Sequence, residues 1–555
     1  MYYTSTLNPD DPNFHYGEKA NFVCNWGNNF ASSIMQFYFQ LIRTSQPNEG
    51  LETQLASLLQ YTQINGKSCR DAWILLYRLI GYTRDKEYGR GEYQLAYMQL
   101  FVWYNFYPEL AIFAFMHFIK FSKYGSWKDI KLFSEYIYQR TLNAKHPFIE
   151  IMVYFLVQQL KEDELTYKKG GMISKAAKWT PREKSKYSWL FKKIALNFSP
   201  HLFCTAKTEN AAKSAERKAN MLLRRFLSKM NKYTNNTEML MCGGRFRQID
   251  FTKISASTIH KNISAFQNKT KDDKTRKTTA DRFIAAGKFR RFNEQSSIWG
   301  AQQIQLGSLV RSAILSKSDD KAKVINKLWI SNSLQNRELG PIIPLVDIGS
   351  SLEENNLIPL FNAIGIGIRI SELTTSPFKN RILVFSASPQ WLILEDMTFV
   401  DKAKILYNTL RGLTSNIEGA LDMLKEVFTK NSSADIQKLM LCIISDMQFE
   451  TFKRKKCWPP KKQTLYELIK EKFEYNAPVC ALPKLIFYNV KQTTGMPLRM
   501  GQKYTYLLAG YNGRTLNVLK NSKKITHNYT CSSLLQELKN KRYYSLEYFF
   551  KKTIK

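Results

Sequence analysis

The chain contains 555 residues, of which 82 are Lys or Arg and 46 are Asp or Glu, so its formal net charge is +36. Hydrophobic residues make up 44% of the sequence and aromatic residues 14%. This apolar content excludes a mainly disordered chain. The length predicts two or more domains, because single hydrophobic cores stop growing at about 250–300 residues.

The positive charge is concentrated in two blocks of the sequence. Residues 161–300 carry a net charge of +19 and residues 451–555 carry +17, whereas residues 1–160 and 301–450 are nearly neutral. Such segregation favours two basic patches that face one polyanion. The alternative is a lysine-rich surface that only keeps the protein in solution.

Cysteine usage and hydropathy narrow the class of protein further. The eight cysteines form no Cys-x-x-Cys pair and only six His accompany them, so a zinc module of standard spacing is not expected. The N-terminus lacks the pattern of a signal peptide, and no apolar stretch reaches the length of about 20 residues that a membrane span needs. We therefore expect a cytoplasmic protein with no membrane partner; a nuclear or virion location is the alternative.

The first part of the chain has a helical pattern. From about residue 30 to 335, helix-length apolar segments alternate with short polar breaks, and Ile130, Phe133 and Ile137, for example, recur at helical spacing. Successive helices with short connections predict a HEAT-like α-solenoid, although the sequence shows no repeat of fixed period. The polar part of this region predicts a basic helix at about 211–231.

After Gly340 the pattern changes to strands that alternate with helices, which predicts a doubly wound α/β domain. We accordingly divide the chain into a helical domain, 1–335, with a basic segment at 161–300, and an α/β domain, 336–555. The predicted strands are 342–347, 381–386, 439–445 and 485–490, with a hairpin partner at 391–394, and the predicted helices are 357–373, 417–429 and 464–473.

Polar residues follow the predicted strands where the carboxyl ends of a parallel sheet meet. The segments are Asp347-Ile-Gly-Ser-Ser351, Thr414-Ser415 and Ser445-Asp446. Their carboxylate and hydroxyl oxygens are ligands that Mg²⁺ or Mn²⁺ prefers. The candidate metal ligands are Asp347, Ser351, Thr414, Ser415 and Asp446.

This arrangement resembles a von Willebrand factor A domain, whose metal-ion-dependent adhesion site consists of an Asp-x-Ser-x-Ser loop, a Thr loop and an Asp loop. Asp347 and Ser351 match the first loop, Ser415 falls near the Thr position, and Asp446 matches the last loop. Gly349 stands where the first ligand Ser is expected. The resemblance therefore implies a degenerate site with one ligand missing, and the alternative is a vestigial site that serves as an interaction surface.

The resemblance extends along most of the chain. It includes, in this order, Thr83–Glu92, Tyr124–Asp129, Ala176–Glu183, Ser386–Pro389 and Ser445–Phe449. Together they resemble a poorly characterised family of helical-repeat plus von Willebrand A proteins of plants, fungi and giant viruses. That family is similar to the Ro autoantigen (TROVE) ribonucleoproteins, in which a helical ring binds structured RNAs and the ends of misfolded RNAs.

A basic segment interleaved with aromatic residues is the second candidate site. Cations contact phosphates and aromatic faces stack on unpaired bases, so this composition favours RNA binding. The alternative is a solvated helix and loop whose aromatic residues, above all Trp179 and Trp189, belong to the core. The candidate nucleic-acid-binding residues are Lys168, Lys169, Lys175, Lys178, Arg182, Lys184, Lys186, Arg217, Lys218, Arg224 and Arg225.

Two further charged segments are less specific. Arg84, Asp85, Arg90 and Glu92 surround two glycines, a pattern that favours a structural ion-pair network over a ligand site. Lys453–Lys456 is typical of either a nuclear localisation signal, a nucleic-acid patch or a solvated loop.

No motif for nucleophilic, metal-hydrolytic or nucleotide-dependent catalysis is present, so we do not expect an enzyme. The first interpretation is a non-enzymatic RNA-binding protein of the TROVE type, with no cofactor besides Mg²⁺ or Mn²⁺. The alternative is a protein-interaction scaffold, such as a virion component of a large DNA virus, that uses its A domain to bind partners.

Overall fold

The structure is a computed structural model of the full chain. The residues that it describes are 14–16, 22–24, 30–44, 48–120, 124–204, 207–270, 272–276, 279–298, 300–409, 415–430, 439–449, 464–474, 482–492, 495–498, 502, 505–524 and 538–554.

The described chain is mostly helical at first and ends in a six-stranded mixed sheet with helices, as the sequence predicts in outline. A short hairpin precedes the helices, with β1 at Phe14–Tyr16 and β2 at Phe22–Cys24. The helices before the six-stranded sheet are α1 (Phe30–Gln40), α2 (Glu49–Asn65), α3 (Arg70–Arg84), α4 (Tyr93–Phe106), α5 (Pro108–Lys120), α6 (Lys128–Thr141), α7 (Pro147–Lys168), α8 (Ala176–Trp179), α9 (Ser188–Phe198), α10 (His201–Cys204), α11 (Glu209–Tyr233), α12 (Thr237–Cys242), α13 (Ala256–Phe266), α14 (Ala280–Gln295), α15 (Leu306–Ile314) and α16 (Asp319–Ser333).

The chain forms two compact units that alternate along the sequence. The first unit comprises Met1–Met98, Ser255–Ile263 and Ser297–Lys555, and the second comprises Gln99–Ile254 and Ser264–Ser296. This grouping by spatial contact differs from the division at residue 335 of the sequence, which stays a prediction.

The second unit is built on aromatic packing between successive helices. The rings of Phe115 in α5, Phe133 in α6 and Phe148 in α7 are fully buried, and their centroids lie 5.1–5.7 Å apart. Burial of such rings, at about 25 cal/mol per Å², is the main stabilising contribution here. Farther along the chain α7 packs on α9 and α9 packs on α11, so neighbouring helices stack in sequence order. The solenoid form itself stays a prediction.

Helix α11 shows how the sequence separates its core face from its charged face. Leu223, Leu227 and Met230 recur at helical spacing and are buried, whereas Arg224 and Arg225 between them are exposed. The Thr208 hydroxyl caps the helix by accepting a hydrogen bond from the backbone N–H of Ala211. The helix predicted at about 211–231 is thereby confirmed.

The sheet of the first unit has the strand order β5-β4-β3-β6-β7-β8, in which β5 is antiparallel and the others are parallel. Its central strands are buried on both faces, which is why they consist of continuous apolar runs. The elements are β3 (Ile342–Asp347), α17 (Glu354–Leu373), β4 (Arg381–Phe385), β5 (Gln390–Ile393), α18 (Phe399–Asn408), α19 (Ile417–Lys430), β6 (Met440–Ser445), α20 (Leu465–Glu474), β7 (Lys484–Asn489), β8 (Thr505–Ala509) and α21 (Tyr544–Thr553).

The loop between α3 and α4 is fastened by a buried carboxylate. Asp85 is fully buried and accepts hydrogen bonds from the backbone N–H groups of Glu87 and Tyr88. Its Oδ2 also lies 2.6 Å from Arg542 Nε and 3.2 Å from the hydroxyl of Tyr543. The ion pair of Asp85 is thus with Arg542, which lies outside the predicted group of Arg84, Asp85, Arg90 and Glu92, and it joins the loop to the residues just before α21.

The same loop also fastens the end of α1 and the segment after β8. Arg90 is buried and donates to the carbonyl oxygens of Tyr38 (3.0 Å) and Leu41 (2.6 Å). Asn512 donates a hydrogen bond to the carbonyl oxygen of Gly89. Gly89 also lies so close to the backbone of Tyr82 that this position has no room for a side chain.

We expect Gly89→Ala to lower the free energy of unfolding of the first unit by about 2–3 kcal/mol. A Cβ at this position would lie 1.9 Å from the carbonyl oxygen of Tyr82, which the backbone must move to accommodate. Urea denaturation of the full chain measures this loss. Gly50→Ala in α2 is the matched control, because a Cβ there meets no atom within 4 Å, and an equal loss in both variants would contradict the explanation.

Candidate functional site

Five residues at the carboxyl ends of β3 and β6 and in the adjacent loops form the strand-end cluster, and two of them, Ser415 and Ser445, donate hydrogen bonds to the carboxylate of Asp347. Asp347 Oδ1 accepts hydrogen bonds from the backbone N–H of Gly349 (2.8 Å) and the hydroxyl of Ser415 (3.0 Å). Asp347 Oδ2 accepts from the hydroxyl of Ser445 (2.8 Å). The cluster comprises Asp347, Ser351, Ser415, Ser445 and Asp446.

Two oxygens of the strand-end cluster are buried and have no hydrogen-bond partner among the residues that the structure describes. They are Ser351 Oγ and Asp446 Oδ2, whereas Asp446 Oδ1 accepts from the backbone N–H of Gln448. An unpaired buried oxygen costs about 1–3 kcal/mol, so such an atom calls for an explanation. Ligation of a hard cation by carboxylate and hydroxyl oxygens is one way in which such atoms are satisfied. The donors present therefore fit Mg²⁺ or Mn²⁺.

Gly349 limits this fit. A Cβ at this position would lie 2.6 Å from Ser415 Oγ and 3.0 Å from Asp347 Oδ1. The serine that the resemblance expects here would thus displace the hydroxyl that now holds Asp347. Hydroxyl ligands are essential to any such site, since the described residues contain no group of three or more His, Cys, Asp or Glu side chains that could hold a metal ion.

Of the five predicted metal-ligand positions, Asp347, Ser415 and Asp446 are linked by hydrogen bonds, directly or through Ser445, Ser351 lies in the loop after β3, and Thr414 lies outside the described residues. Sequence reasoning missed Ser445 as a partner of Asp347, although its position as the last residue of a buried strand was a signal. It also missed Lys491, whose Nζ lies 2.9 Å from Glu354 Oε2 and 3.5 Å from the carbonyl oxygen of Ser351.

The basic segment of the second unit forms a compact group of cations and rings, which we call the tryptophan–lysine cluster: Lys128, Lys131, Lys178, Trp179, Arg182, Lys186 and Tyr187. The ammonium groups of Lys128, Lys131 and Lys178 lie 5.2–5.6 Å from the centre of the Trp179 ring. Lys131 and Lys186 lie 5.8 and 4.9 Å from the centre of the Tyr187 ring. Cation–π attraction of about 0.5–2 kcal/mol for each contact helps to hold these like charges together.

The pKa of Lys131 reflects the crowding of positive charge around it. Partial burial, together with the neighbouring charges of Lys128 and Arg182, lowers the pKa of Lys131 to about 8. A lysine normally titrates near 10.4, so its ammonium form is disfavoured here in the absence of an anion. A phosphate group close to Lys131 would reverse that effect.

Most of the predicted nucleic-acid-binding residues are exposed and available for contact. Lys168, Lys178 and Arg224 form ion pairs with Glu164, Glu238 and Glu183, at 3.4, 2.8 and 2.7 Å. The others are exposed and form no ion pair with a residue that the structure describes: Lys169, Lys175, Arg182, Lys184, Lys186, Arg217, Lys218 and Arg225.

The aromatic residues of the segment have different environments. Trp189 is partly buried, donates from Nε1 to Glu135 and packs on Tyr138, so its role is structural. Trp179 is also partly buried, but its neighbours are cations. Sequence reasoning missed Lys128 and Lys131. The signal for them was their spacing of three residues, which places both on the polar side of the predicted helix that contains Ile130, Phe133 and Ile137.

Comparison with known proteins gives two findings. Residues 342–547 match the model of a family described as a domain of unknown function (DUF7788). The chain is also similar to uncharacterized protein L728 of Acanthamoeba polyphaga mimivirus, with 21% identity over 520 residues, covering 90% of this chain and 83% of that protein. The similarity to a giant-virus protein thus extends over most of the chain, whereas the match to the domain family is confined to the sheet region and the segment after it.

Among the described residues, no helix has both the length and the apolar character that crossing a bilayer requires. Residues 453–456, for which a localisation signal was one interpretation, lie outside the described part of the chain.

We expect Lys128→Met to raise the pKa of Lys131 from about 8 toward its ordinary value, because it removes one of the two like charges beside that ammonium group. Reductive methylation with ¹³C-formaldehyde and NMR detection follows the titration, with Lys131→Arg used to assign the signal. Lys145→Met is the control, as Lys145 is an exposed lysine of the same unit outside the cluster. An ordinary lysine titration of Lys131 in the unmodified sequence would refute the crowding.

Proposed function

We propose that the chain is a non-enzymatic RNA-binding protein of the TROVE type, which binds structured or single-stranded RNA through the second unit. The tryptophan–lysine cluster carries this proposal. It holds five cationic side chains beside two partly buried rings, and partial burial together with the like charges of Lys128 and Arg182 lowers the pKa of Lys131. A phosphate group bound beside Lys131 would offset the repulsion among these cations. RNA binding would therefore relieve an electrostatic cost that the free protein bears.

The charge of the second unit supports the same proposal. Its 189 residues contain 36 Lys or Arg and only 16 Asp or Glu, a net charge of +20. Most of the exposed cations of the predicted segment have no carboxylate beside them in the described chain. Phosphate contacts of this kind give an affinity that depends strongly on salt and little on sequence.

The cluster also offers an aromatic surface next to its cations. Unpaired bases stack on aromatic side chains with about 1–3 kcal/mol for each base, and Arg planes add to this. Trp179 and Tyr187 are half-buried, so each keeps part of its surface accessible. This combination favours single-stranded RNA or RNA loops over a duplex, whose bases are already stacked. A cytoplasmic site of action, with nucleus or virion as alternatives, is part of the proposal.

We expect the triple variant R182E/K184E/K186E to bind a single-stranded RNA of about 20 nucleotides at least tenfold more weakly than the unmodified chain at 0.1 M salt. Each lost phosphate contact should lower the slope of log K against log salt by about 0.7–1. Fluorescence anisotropy over a salt series measures both quantities.

The matched control is K317E/K323E/K379E, which introduces the same charge change at exposed lysines of the first unit. It is expected to change affinity only slightly and to leave the slope intact. Equal effects of the two variants would show that net charge alone matters, and absence of salt-sensitive binding in the unmodified chain would refute the proposal.

A second candidate function is that of a protein-interaction scaffold whose A-type domain uses Mg²⁺ or Mn²⁺ to bind a partner. The observation that favours it is the pair of unpartnered buried oxygens, Ser351 Oγ and Asp446 Oδ2. Asp347, Ser351 and Asp446 would hold the ion, Ser415 and Ser445 would orient Asp347, and the ion would supply a Lewis-acidic position for a partner's carboxylate.

We expect Asp446→Asn to weaken Mn²⁺ binding by about tenfold or more, because it replaces a ligand oxygen while keeping the acceptor that bonds the N–H of Gln448. Isothermal titration with MnCl₂ is the measurement. Ser350→Ala is the control, since Ser350 is adjacent to the cluster but not part of it. Absence of Mn²⁺ binding at millimolar concentration in the unmodified chain would eliminate this candidate function.

A further inference from the structure

The first unit contains a cavity of about 300 Å³ that is separate from the strand-end cluster. Four Lys or Arg side chains and one His line it, and none of the described residues in its lining is acidic. This volume lies at the lower end of the range for small-molecule sites. The basic lining residues are Arg43, Lys86, Arg90, His260 and Lys261.

Two of the basic groups are held in fixed positions. Arg43 donates from Nη2 to Gln305 Oε1 at 2.7 Å, and its Nη1 lies 3.6 Å from Glu92 Oε2. Arg90 is fixed by the carbonyl oxygens at the end of α1. Guanidinium groups that are already ordered lose little conformational entropy when they meet an anion.

A single carboxylate lies behind this lining. Glu92 is almost fully buried, and its Oε1 accepts a hydrogen bond from Gln305 Nε2 at 3.0 Å. Burial raises the pKa of Glu92, while Arg43 and Arg90 act in the opposite direction. One carboxylate does not balance four cationic side chains, so the cavity has a positive potential.

Three helices begin at the cavity and add to this potential. The first turns of α4, α13 and α15 contribute Tyr93, Ser257 and Ser308 to its lining. A helix N-terminus carries about half a positive charge and has free N–H groups, so it favours an anion such as phosphate. The first turns of three helices thus line one cationic cavity. Stability of the fold alone does not require this arrangement.

We propose that this cavity binds a small phosphate ester of the nucleoside monophosphate class. The phosphate would lie among the basic side chains and the helix N-termini. The ring of Tyr93, which is 37% exposed, offers a stacking surface, and the amides of Gln302 and Gln303 offer hydrogen bonds to a base.

The inference is independent of RNA binding by the second unit, since all residues of the cavity belong to the first unit. Its test uses the full chain and isothermal titration with AMP, adenosine and glucose 6-phosphate. We expect AMP to bind at least tenfold more tightly than adenosine, because adenosine lacks the anion. Glucose 6-phosphate is expected to bind more weakly than AMP, since it has no aromatic base.

Two variants locate the binding. Lys261→Met is expected to weaken AMP binding by about three- to tenfold, and Ser308→Glu to abolish it by placing a carboxylate in the lining. Both residues are exposed, and an acidic residue in the first turn of α15 is compatible with the helix, so the fold is kept. Lys323→Met, an exposed lysine outside the cavity, is the control.

Failure of AMP and glucose 6-phosphate to bind at millimolar concentration would overturn the inference. Equal binding of AMP and adenosine, or AMP binding that Ser308→Glu leaves unchanged, would overturn it as well. Equal binding of AMP and glucose 6-phosphate would overturn the assignment to nucleotides.

Discussion

The buried carboxylate of Asp85 is the constraint on which the first unit depends. It joins residues 457 positions apart in sequence through Arg542, and it orders the loop that also carries Arg90 and Glu92. Breaking one partner of such a buried pair costs about 3–5 kcal/mol, because the other charge is left unsatisfied. The cavity next to this loop has its shape because the loop cannot move independently of α1 and the residues before α21.

The two units treat their charges in opposite ways. Around Asp85, the charges of Asp85, Arg542 and Glu87 are paired with opposite sign, and Asp85 itself is fully buried. Around Trp179, the cations Lys128, Lys131 and Lys178 crowd about one ring, and Lys178 also reaches the carboxylate of Glu238. A closed network stabilises a fold, whereas uncompensated charge costs folding energy and is of use only when a polyanion arrives. We therefore assign a structural role to the paired charges around Asp85 and a candidate role in ligand binding to the crowded cations around Trp179.

Much of the fold could be predicted from periodicity, and the exceptions have physical reasons. Strand β3 was predicted with its observed bounds, because a strand buried on both faces leaves a short run of apolar residues next to Gly340-Pro341. Strand β8 was missed, since a run of only four apolar residues after Thr505 fits a buried helix turn equally well. Strand order placed Asp347 and Asp446 at the same edge of the sheet, although the hydrogen bond from Ser445 to Asp347 was not predicted. No sequence pattern could bring Lys131 to Trp179, because that contact depends on how α6 packs against α8.

The net charge of +36 is distributed differently in the structure than along the sequence. In sequence it forms two blocks, whereas in space the second unit holds +20 and the first unit holds +16. The second unit presents its surplus on an exposed surface with aromatic rings, which suits an extended polymer whose phosphates are repeated. In the first unit, some of the surplus basic side chains line a cavity of about 300 Å³. This volume suits one small anion rather than a segment of a polymer. The same excess of lysine and arginine thus supports two proposed ligands of different size, because an exposed surface and a cavity select anions by shape as well as by charge.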